Sequence, residues 1–395
     1  MFVNFEFLCG EPIENVITFL HFKMDRAVFF GERREIEKQK SQTETFLRKY
    51  CGVNETMFIE IPKNDLDGAK AAMAKEIKAQ IDEGNRVFFD ITGGESLILV
   101  AFGALSERFN VPIHIFDIEK DEITDFSGGI TAQAKRADVK LDINGWIRLY
   151  GGAVNNSLNK YAFESSDRGT REIIKKLWRI SEKYGEYWNL LSNFLNSVFA
   201  PEKGLSVSVP TSRVSAELKK SRTMLKTTKQ LFDMLKDLEA AGAIGGLKFN
   251  REICSFRYAN ARVKDCLLKG GTILELYTYQ RFSAASDDCM VGVHIDWDGV
   301  IHSGFADDVL NEVDVIALKG KIPTFISCKN GKLRGESALH ALYELETIAE
   351  RFGGKYARKM LVTSLPLSSP VQLERAREMG IDVKTAKELA GKGGG

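Results

Sequence analysis

The feature of this sequence that most constrains its fold is a regular alternation of strand-like and helix-like segments before residue 150. The apolar, strand-like runs are residues 3–8, 27–30, 57–61, 86–91 and 112–117. The helix-like stretches are residues 38–50, 67–83 and 96–109, and the first two are strongly amphipathic. Because parallel strands need helical crossovers between them, the alternation predicts a doubly wound α/β domain.

The overall charge limits how this chain can attract a nucleic acid. Lys plus Arg number 55 and Asp plus Glu number 54 among 395 residues, so the average field is weak and binding needs a local basic surface. The six cysteines are scattered without CxxC spacing, which argues against structural zinc or a disulfide framework and fits a reducing cytoplasm. No apolar run has the length of a membrane span, and no secretion signal is visible.

The pattern after residue 150 predicts two further units. Gly151-Gly152 and the polar stretch 155–159 are typical of a domain exit, and residues 170–200 indicate one long helix. A helical region at 212–241 precedes strand candidates at 244–249 and 254–258, which favours a small winged-helix-like module.

From residue 263 onward a second α/β domain is predicted, with strands that begin as antiparallel hairpins. Its helices are expected at 263–283, 337–352 and 370–379, and its strands near 290–297, 312–317, 324–327 and 359–363. The predicted domains are therefore residues 1–150, 151–262 and 263–395.

A glycine-containing motif follows the strand at 86–91 and opens a helix. It reads Asp-Ile-Thr-Gly-Gly-Glu-Ser over residues 90–96. Glycines let backbone N–H groups approach an anion, and a helix N-terminus carries partial positive charge, so the motif favours a nucleotide. The spacing fits neither GxGxxG nor GxxxxGK[ST], and the Glu95 carboxylate would repel phosphate. The alternative is a tight strand-to-helix turn without a ligand.

A second loop, residues 9–12, also follows a strand and could form the other wall of the same pocket, because ligands bind at the carboxyl edge of doubly wound sheets. The predicted ligand contacts of the two loops are Gly10, Glu11, Thr92, Gly93, Gly94, Glu95 and Ser96.

A second constellation lies in the C-terminal domain and consists of Glu275, Asp314 and Lys329. Alternation along 311–317 puts Asp314 on the face opposite its valine neighbours, and the next strand delivers Lys329 at its end. Carboxylates that hold Mg²⁺ or Mn²⁺, with a lysine beside the attacking water, are what phosphodiester hydrolysis requires. The alternative is an ordinary cross-strand ion pair.

The motif Asp90-x-Thr92-Gly93-Gly94 resembles the ligand-binding motif of CARF domains, the dimeric Rossmann-like sensors of cyclic oligoadenylates in type III CRISPR systems. The segments around Glu275, Asp314 and Lys329 resemble a PD-(D/E)XK nuclease of restriction-endonuclease-like fold. Together they resemble ancillary nucleases that answer to cyclic tetra-adenylate. The resemblance implies a homodimer that binds the cyclic ligand across both sensors and cleaves DNA or RNA with Mn²⁺ or Mg²⁺.

The sequence departs from these patterns at two positions. CARF motifs often continue Gly-Gly-Thr-Lys, but Glu95 and Ser96 follow here, so Lys23, Arg33 or Arg34 would have to supply positive charge. Ser327 stands where the nuclease pattern has an acid. The expected replacement is Glu344 on the following helix, with Glu336 as the second choice. Without either, metal binding would rest on Glu275, Asp314 and the Cys328 carbonyl.

Two functions compete on this reading. The first is a nuclease activated by a cyclic oligoadenylate, with Glu275, Asp314, Lys329 and Glu344 as catalytic residues. The second is a nucleotide-sensing winged-helix transcription regulator with an inactive C-terminal domain. It draws on the basic residues between 211 and 236, which could track a nucleic-acid backbone but are equally typical of a solvated helix face.

Overall fold

The computed structural model describes residues 1–62, 64–126, 133–136, 141–158, 168–220, 227–302 and 310–391. Within these residues, no helix is both long and apolar enough to cross a membrane.

The N-terminal domain is built on a seven-stranded sheet of order β3-β2-β1-β4-β5-β6-β7. Its elements are β1 (Phe2–Phe7), α1 (Ile17–His21), β2 (Arg26–Gly31), α2 (Arg33–Phe46), β3 (Glu55–Glu60), α3 (Leu66–Asp82), β4 (Arg86–Asp90), α4 (Ser96–Phe109), β5 (Ile113–Asp117), β6 (Glu122–Asp125) and β7 (Gln133–Arg136). Strands β1 to β5 are parallel, which confirms the predicted doubly wound α/β fold. The strand order reverses between β1 and β4, and the loops after these two strands therefore face each other.

Strand β1 is buried on both faces, for different reasons. Val3 and Phe5 are fully buried in a core with side chains of α3 and α4, as expected for a central parallel strand. The other face carries Asn4 and Glu6, which are also buried. These polar side chains place hydrogen-bonding groups near the carboxyl ends of β1 and β4, where the two loops meet.

The middle segment contains a three-stranded antiparallel sheet of order β10-β11-β9. Its elements, with those leading to it, are α5 (Ile143–Leu149), β8 (Ala153–Val154), α6 (Arg168–Tyr184), α7 (Glu186–Phe199), β9 (Ser206–Pro210), α8 (Thr211–Lys220), α9 (Thr228–Ala240), β10 (Ile244–Phe249) and β11 (Ile253–Tyr258). The winged-helix-like interpretation stays a prediction, and residues 221–226 of its basic stretch lie outside the described residues.

The single long helix expected at 170–200 was wrong. Helices α6 and α7 are separated by Gly185, which has φ +55°. A residue in this left-handed region cannot continue a right-handed helix, and glycine reaches it without a Cβ clash. The aromatic and charged pattern continues across the break, so hydrophobic periodicity alone conceals it.

The C-terminal domain has a six-stranded sheet of order β16-β15-β14-β13-β12-β8. Its further elements are α10 (Ala261–Leu268), α11 (Thr272–Ser283), β12 (Asp288–Asp296), β13 (Leu310–Lys319), β14 (Ile322–Lys329), α12 (Glu336–Gly353), β15 (Arg358–Thr363), α13 (Pro370–Glu378), β16 (Ile381–Thr385) and α14 (Ala386–Gly391). Strands β12 to β14 form the expected antiparallel hairpins, while β15 and β16 continue the sheet in parallel.

The two α/β domains share one continuous hydrophobic core around α5 and α12. Trp146 of α5 is buried, and its indole N–H donates to the Phe352 carbonyl at 2.8 Å. Gly152 lies so close to Phe352 that a Cβ would stand 2.5 Å from the ring. This packing fixes the end of α12 against the N-terminal domain.

Replacing Trp146 by alanine is expected to destabilise the protein by roughly 3–5 kcal/mol, because a large buried ring and its hydrogen bond are lost from the shared core. Denaturant unfolding monitored by circular dichroism measures this change. Val371→Ala, at a side chain 73% exposed, is the control and is expected to unfold like wild type. Equal midpoints for both variants would contradict a shared core.

Candidate functional site

The first element of the C-terminal site is the Asp314 carboxylate, which is fixed by the neighbouring strand. Continuing the β13–β14 register places Asp314 opposite Ser327. The Cys328 backbone N–H donates to Asp314 Oδ2 at 2.6 Å, and the Ser327 hydroxyl donates to the same oxygen at 3.3 Å. Ser327, which replaces the acid of the expected triplet, therefore orients the aspartate.

Lys329 and Glu344 line a cavity of about 170 Å³ together with Asp314 and Ser327. Lys329 is the last residue of β14, and Glu344 lies in the middle of α12. Leu345 and Ile348 of the same helix add apolar walls to this cavity, which we call the Asp314 cleft. The helix acid expected from the sequence thus shares the cleft with the strand residues.

The second-choice acid, Glu336, is the exposed first residue of α12 and is not among the residues that line the cleft. Glu312, by contrast, lines the cleft and was missed in the sequence analysis. The signal was available, because Glu312 precedes Asp314 by two residues on β13 and side chains two apart share a face of a strand. Its carboxylate also lies 3.8 Å from His294 Nε2.

Glu275 faces the same charges from the first turn of α11. Burial, followed by repulsion from Asp314 and Glu312, raises the pKa of Glu275 to about 8, although Lys329 and Lys269 oppose the shift. Burial also raises the pKa of Asp314, against the stabilising effects of Lys329 and the Cys328 N–H. Two carboxyl groups that repel each other while partly excluded from water favour a divalent cation.

The residues present fit a metal ion in part. Glu275 and Asp314 supply hard oxygen ligands of the kind that Mg²⁺ and Mn²⁺ prefer. Within the described ranges, however, no three Asp, Glu, His or Cys side chains gather closely enough to hold an ion. The Cys328 thiol is buried with its pKa raised by that burial, so only the carbonyl of this residue is suited to the predicted ligand role.

The N-terminal site is formed by the loops after β1 and β4, which contact each other at the switch point of the sheet. A Cβ on Gly93 would lie 2.7 Å from Cys9 Sγ and 2.9 Å from Glu14 Oε2. Gly94 has φ +128° and packs against Phe7. The backbone conformation at Gly94 therefore favours glycine, and a side chain at Gly93 would have to displace Cys9 and Glu14.

Hydrogen bonds to side chains and backbone of the neighbouring elements fix the loop after β4. Asp90 Oδ1 accepts from the Thr92 N–H at 2.7 Å, and Thr92 Oγ1 accepts from the Phe116 N–H of β5 at 2.9 Å. The Thr18 hydroxyl donates to the other Asp90 oxygen. These bonds give the loop a defined shape before any ligand binds.

Asp90 belongs to a buried polar row that crosses β1, β4 and β5 with Glu6 and His114. Burial, reinforced by the Asp90 charge, raises the pKa of Glu6. Burial likewise lowers the pKa of His114, so the imidazole is neutral near pH 7. The polar face of β1 thus continues through Asp90 to the loop after β4.

The exposed edge of this site suits an anion. Ser96 begins α4 and is exposed, and the first turn of α4 contains no acidic side chain. Arg33 and Arg34 follow β2 at the same edge of the sheet and are exposed, although Arg33 also pairs with Glu37 at 3.0 Å. Lys23 precedes β2 and so lies at the opposite edge, away from the loops.

Glu11, an expected ligand contact, is turned toward the C-terminal domain. The Lys355 N–H donates to Glu11 Oε2 at 2.9 Å, and the Tyr150 hydroxyl donates to Glu11 Oε1. Gly10 has open space around it and stays available to a ligand. Of the predicted contacts, the residues of the β4 loop and Gly10 therefore come together at one edge, whereas Glu11 faces away from it.

Residues 262–391 match the family of Card1-like endonuclease domains. No curated protein matches the sequence. Protein VC1899 from Vibrio cholerae has a similar structure, with 18% identity, a TM-score of 0.72 and coverage of 98% of this chain and 95% of that chain. Can2 from Sulfobacillus thermosulfidooxidans, solved with cyclic tetra-adenylate, has 15% identity, a TM-score of 0.66 and coverage of 98% and 94%.

A type III CRISPR defence DNA nuclease activated by cyclic oligoadenylate is also similar, with 15% identity and a TM-score of 0.51. That comparison covers 93% of this chain but 47% of the other. At these identities the structural likeness establishes the fold. Together with the match over residues 262–391, it confirms the predicted resemblance to CRISPR ancillary nucleases that join a CARF domain to an endonuclease domain.

Replacing Glu275 by glutamine is expected to stabilise the metal-free protein above pH 7. A carboxyl whose pKa rises from 4.5 to about 8 on folding contributes stability below pH 4.5, and this contribution is lost as the pH rises through 8. The uncharged variant escapes the loss, so its gain over wild type grows from pH 5 to pH 9, reaching roughly 1–3 kcal/mol.

Thermal melts from pH 5 to pH 9 with a chelator present measure this gain. If Glu275 is a metal ligand as predicted, Mn²⁺ raises the melting temperature of wild type more than that of the variant. A constant difference between the two proteins across this range would contradict the buried, repelled state of Glu275.

Proposed function

We propose that this protein is a metal-dependent nuclease of type III CRISPR defence that a cyclic oligoadenylate activates. Asp314 and Lys329 line one cavity, and the charge of Glu275 interacts with both, within the segment that matches Card1-like endonuclease domains. This arrangement carries the proposal. An ordinary ion pair between strands does not account for a second buried carboxyl that repels the first. Nor does it account for an open cleft beside them.

In this proposal Glu275 and three residues that line the Asp314 cleft have distinct tasks. Glu275 and Asp314 would hold Mn²⁺ or Mg²⁺, and the bound ion would neutralise charge on the scissile phosphate and acidify a water molecule. Lys329 places an ammonium group beside the attacked phosphorus, where negative charge grows in the transition state. Glu344 lines the cleft and is positioned to accept a proton from water or to complete the metal site when α12 shifts.

The N-terminal domain is the sensor in this proposal. The Can2 structure holds cyclic tetra-adenylate, and its fold extends over 98% of this chain. The loops after β1 and β4 offer backbone N–H groups and a helix N-terminus to the phosphates of such a ligand. A symmetric cyclic ligand is best bound by two equivalent sites, and Val100 of α4, 58% exposed, offers apolar surface for a homodimer at this edge.

The direct test incubates the purified protein with Mn²⁺ or Mg²⁺ and with supercoiled DNA, single-stranded DNA or RNA, adding cyclic adenylates of different ring size one at a time. Cleavage is expected to require both the cation and one ring size. If wild type cleaves nothing but binds double-stranded DNA, the winged-helix regulator becomes the better reading.

Replacing Lys329 by alanine is expected to reduce ligand-activated cleavage by roughly 100-fold or more, because it removes the cation beside the reacting phosphate. Binding of cyclic tetra-adenylate, measured by calorimetry, is expected to match wild type. Lys78→Ala, at an exposed lysine of α3, serves as the control with full activity. Retained cleavage in Lys329→Ala would remove this residue from the chemistry.

Replacing Gly93 by alanine is expected to weaken cyclic tetra-adenylate binding by at least about tenfold, because the new Cβ overlaps Cys9 and Glu14 and displaces both loops. Calorimetric titration measures the affinity, and a melting curve checks folding. Gly169→Ala is the matched control, since open space surrounds that glycine. Equal affinities for both variants would place the ligand elsewhere.

A further inference from the structure

The loop after β1 is joined by hydrogen bonds and an ion pair to the turn that follows α12 of the C-terminal domain. The Lys355 ammonium pairs with Glu14 Oε1 at 2.6 Å, and the Tyr356 hydroxyl donates to the same oxygen at 2.6 Å. Glu11 accepts from the Lys355 N–H and from the Tyr150 hydroxyl. We call these five residues the interdomain clamp.

The Glu14 carboxylate of the clamp also borders the predicted ligand loop after β4. While Glu14 Oε1 holds Lys355, Glu14 Oε2 accepts from Cys9 Sγ at 3.2 Å and borders Gly93, where a Cβ would stand 2.9 Å away. Glu14 is 6% exposed, whereas the Lys355 side chain is 58% exposed, so solvent and a ligand can reach the ammonium while the carboxylate stays buried. A ligand that reaches Gly93 therefore reaches the neighbourhood of the Lys355 ammonium.

The charge around the ligand loops calls for a cation from another element, and Lys355 adds one to the exposed Arg33 and Arg34. Residues 8–15 and 91–99 contain no lysine or arginine, but they contain Glu11, Glu14 and Glu95. A phosphodiester bound between these loops meets negative charge unless a cation comes from another element. Lys355 is a cation that the fold already places against the Glu14 wall of this site.

An open cavity of about 550 Å³ connects the clamp with the sensor sheet. Lys355 and Tyr356 line it from the C-terminal domain, and Phe116 and Thr124 line it from β5 and β6. The Phe116 N–H is bonded to Thr92 of the ligand loop. The cavity thus lies at the same sheet edge as the ligand loop, and the C-terminal domain forms part of its wall.

The other end of this connection is the Asp314 cleft. The turn Gly354–Tyr356 follows α12 without interruption, and Glu344 of α12 lines the cleft about 15 Å further along the helix axis. Gly354 has φ +59°, and a Cβ there would overlap the Glu11 carboxylate. A change in the clamp therefore acts on a helix that carries part of the cleft.

We propose that Lys355 exchanges its partner when the ligand binds, leaving Glu14 for a phosphate of the cyclic oligoadenylate and moving the end of α12 with it. The inference rests on the proposed sensor function. The Glu14–Lys355 pair defines one arrangement, and a phosphate–Lys355 pair defines the other. The difference between these two pairs is what allows binding to shift the equilibrium between arrangements.

Two substitutions with opposite expected effects test the exchange. Lys355→Met removes the cation and is expected to weaken cyclic tetra-adenylate binding about tenfold, with a shallower dependence on salt. Glu14→Gln keeps the shape and the Tyr356 hydrogen bond but removes the competing charge. It is expected to tighten binding several-fold. Lys355→Arg, which keeps the charge, is expected to bind within about twofold of wild type.

Lys120→Met is the matched control, because Lys120 is an exposed lysine of the same sheet edge that pairs with Asp117 at 2.8 Å. It is expected to bind the ligand like wild type. The exchange is overturned if Lys355→Met binds as tightly as wild type, or if Glu14→Gln and Lys355→Met, both folded by their melting curves, weaken binding alike. Failure of the wild-type protein to bind any cyclic adenylate would instead sink the sensor function itself.

Discussion

The packing of α12 against α5 is the constraint on which the rest of this structure depends. Trp146 and Phe352 join the cores of the sensor and the C-terminal domain, so the end of α12 cannot move without disturbing the N-terminal domain. The body of the same helix covers the sheet that carries Asp314 and Lys329. One helix therefore belongs to both functional regions, and neither region is an independent appendage of the other.

Carboxylates crowd both functional regions beside this helix, but with different consequences. Next to the Asp314 cleft, Glu275 and Asp314 repel each other, and a cation would relieve that repulsion. At the N-terminal loops, the carboxylates of Glu11 and Glu14 are paired with the clamp. A phosphate there has to compete with Glu14 for the Lys355 ammonium, so the two sites answer ligands of opposite charge in different ways.

The sequence could predict those parts of the fold and site that depend on local pattern. Asp314 and Lys329 were recognisable because a hairpin brings adjacent strands together, and the glycines after β4 because a tight strand-to-helix turn requires them. The break at Gly185 was missed because the amphipathic pattern continues on both sides of it. The clamp had no local signal at all, since Glu11 and Lys355 are separated by 344 residues.

Strand β8 affects how the protein folds during synthesis and where it can be cut into fragments. This short strand, Ala153–Val154, leaves the sensor domain and completes the edge of the nuclease sheet by pairing with Ile295 and Asp296, long before the rest of that sheet is synthesised. During translation β8 stays unpaired until the middle segment and then β12 have been synthesised. A fragment beginning at residue 262 would lack it and would expose the backbone edge of β12, a template for association between copies. The C-terminal domain is therefore not separable at residue 262, because one edge strand of its sheet belongs to the segment that precedes it.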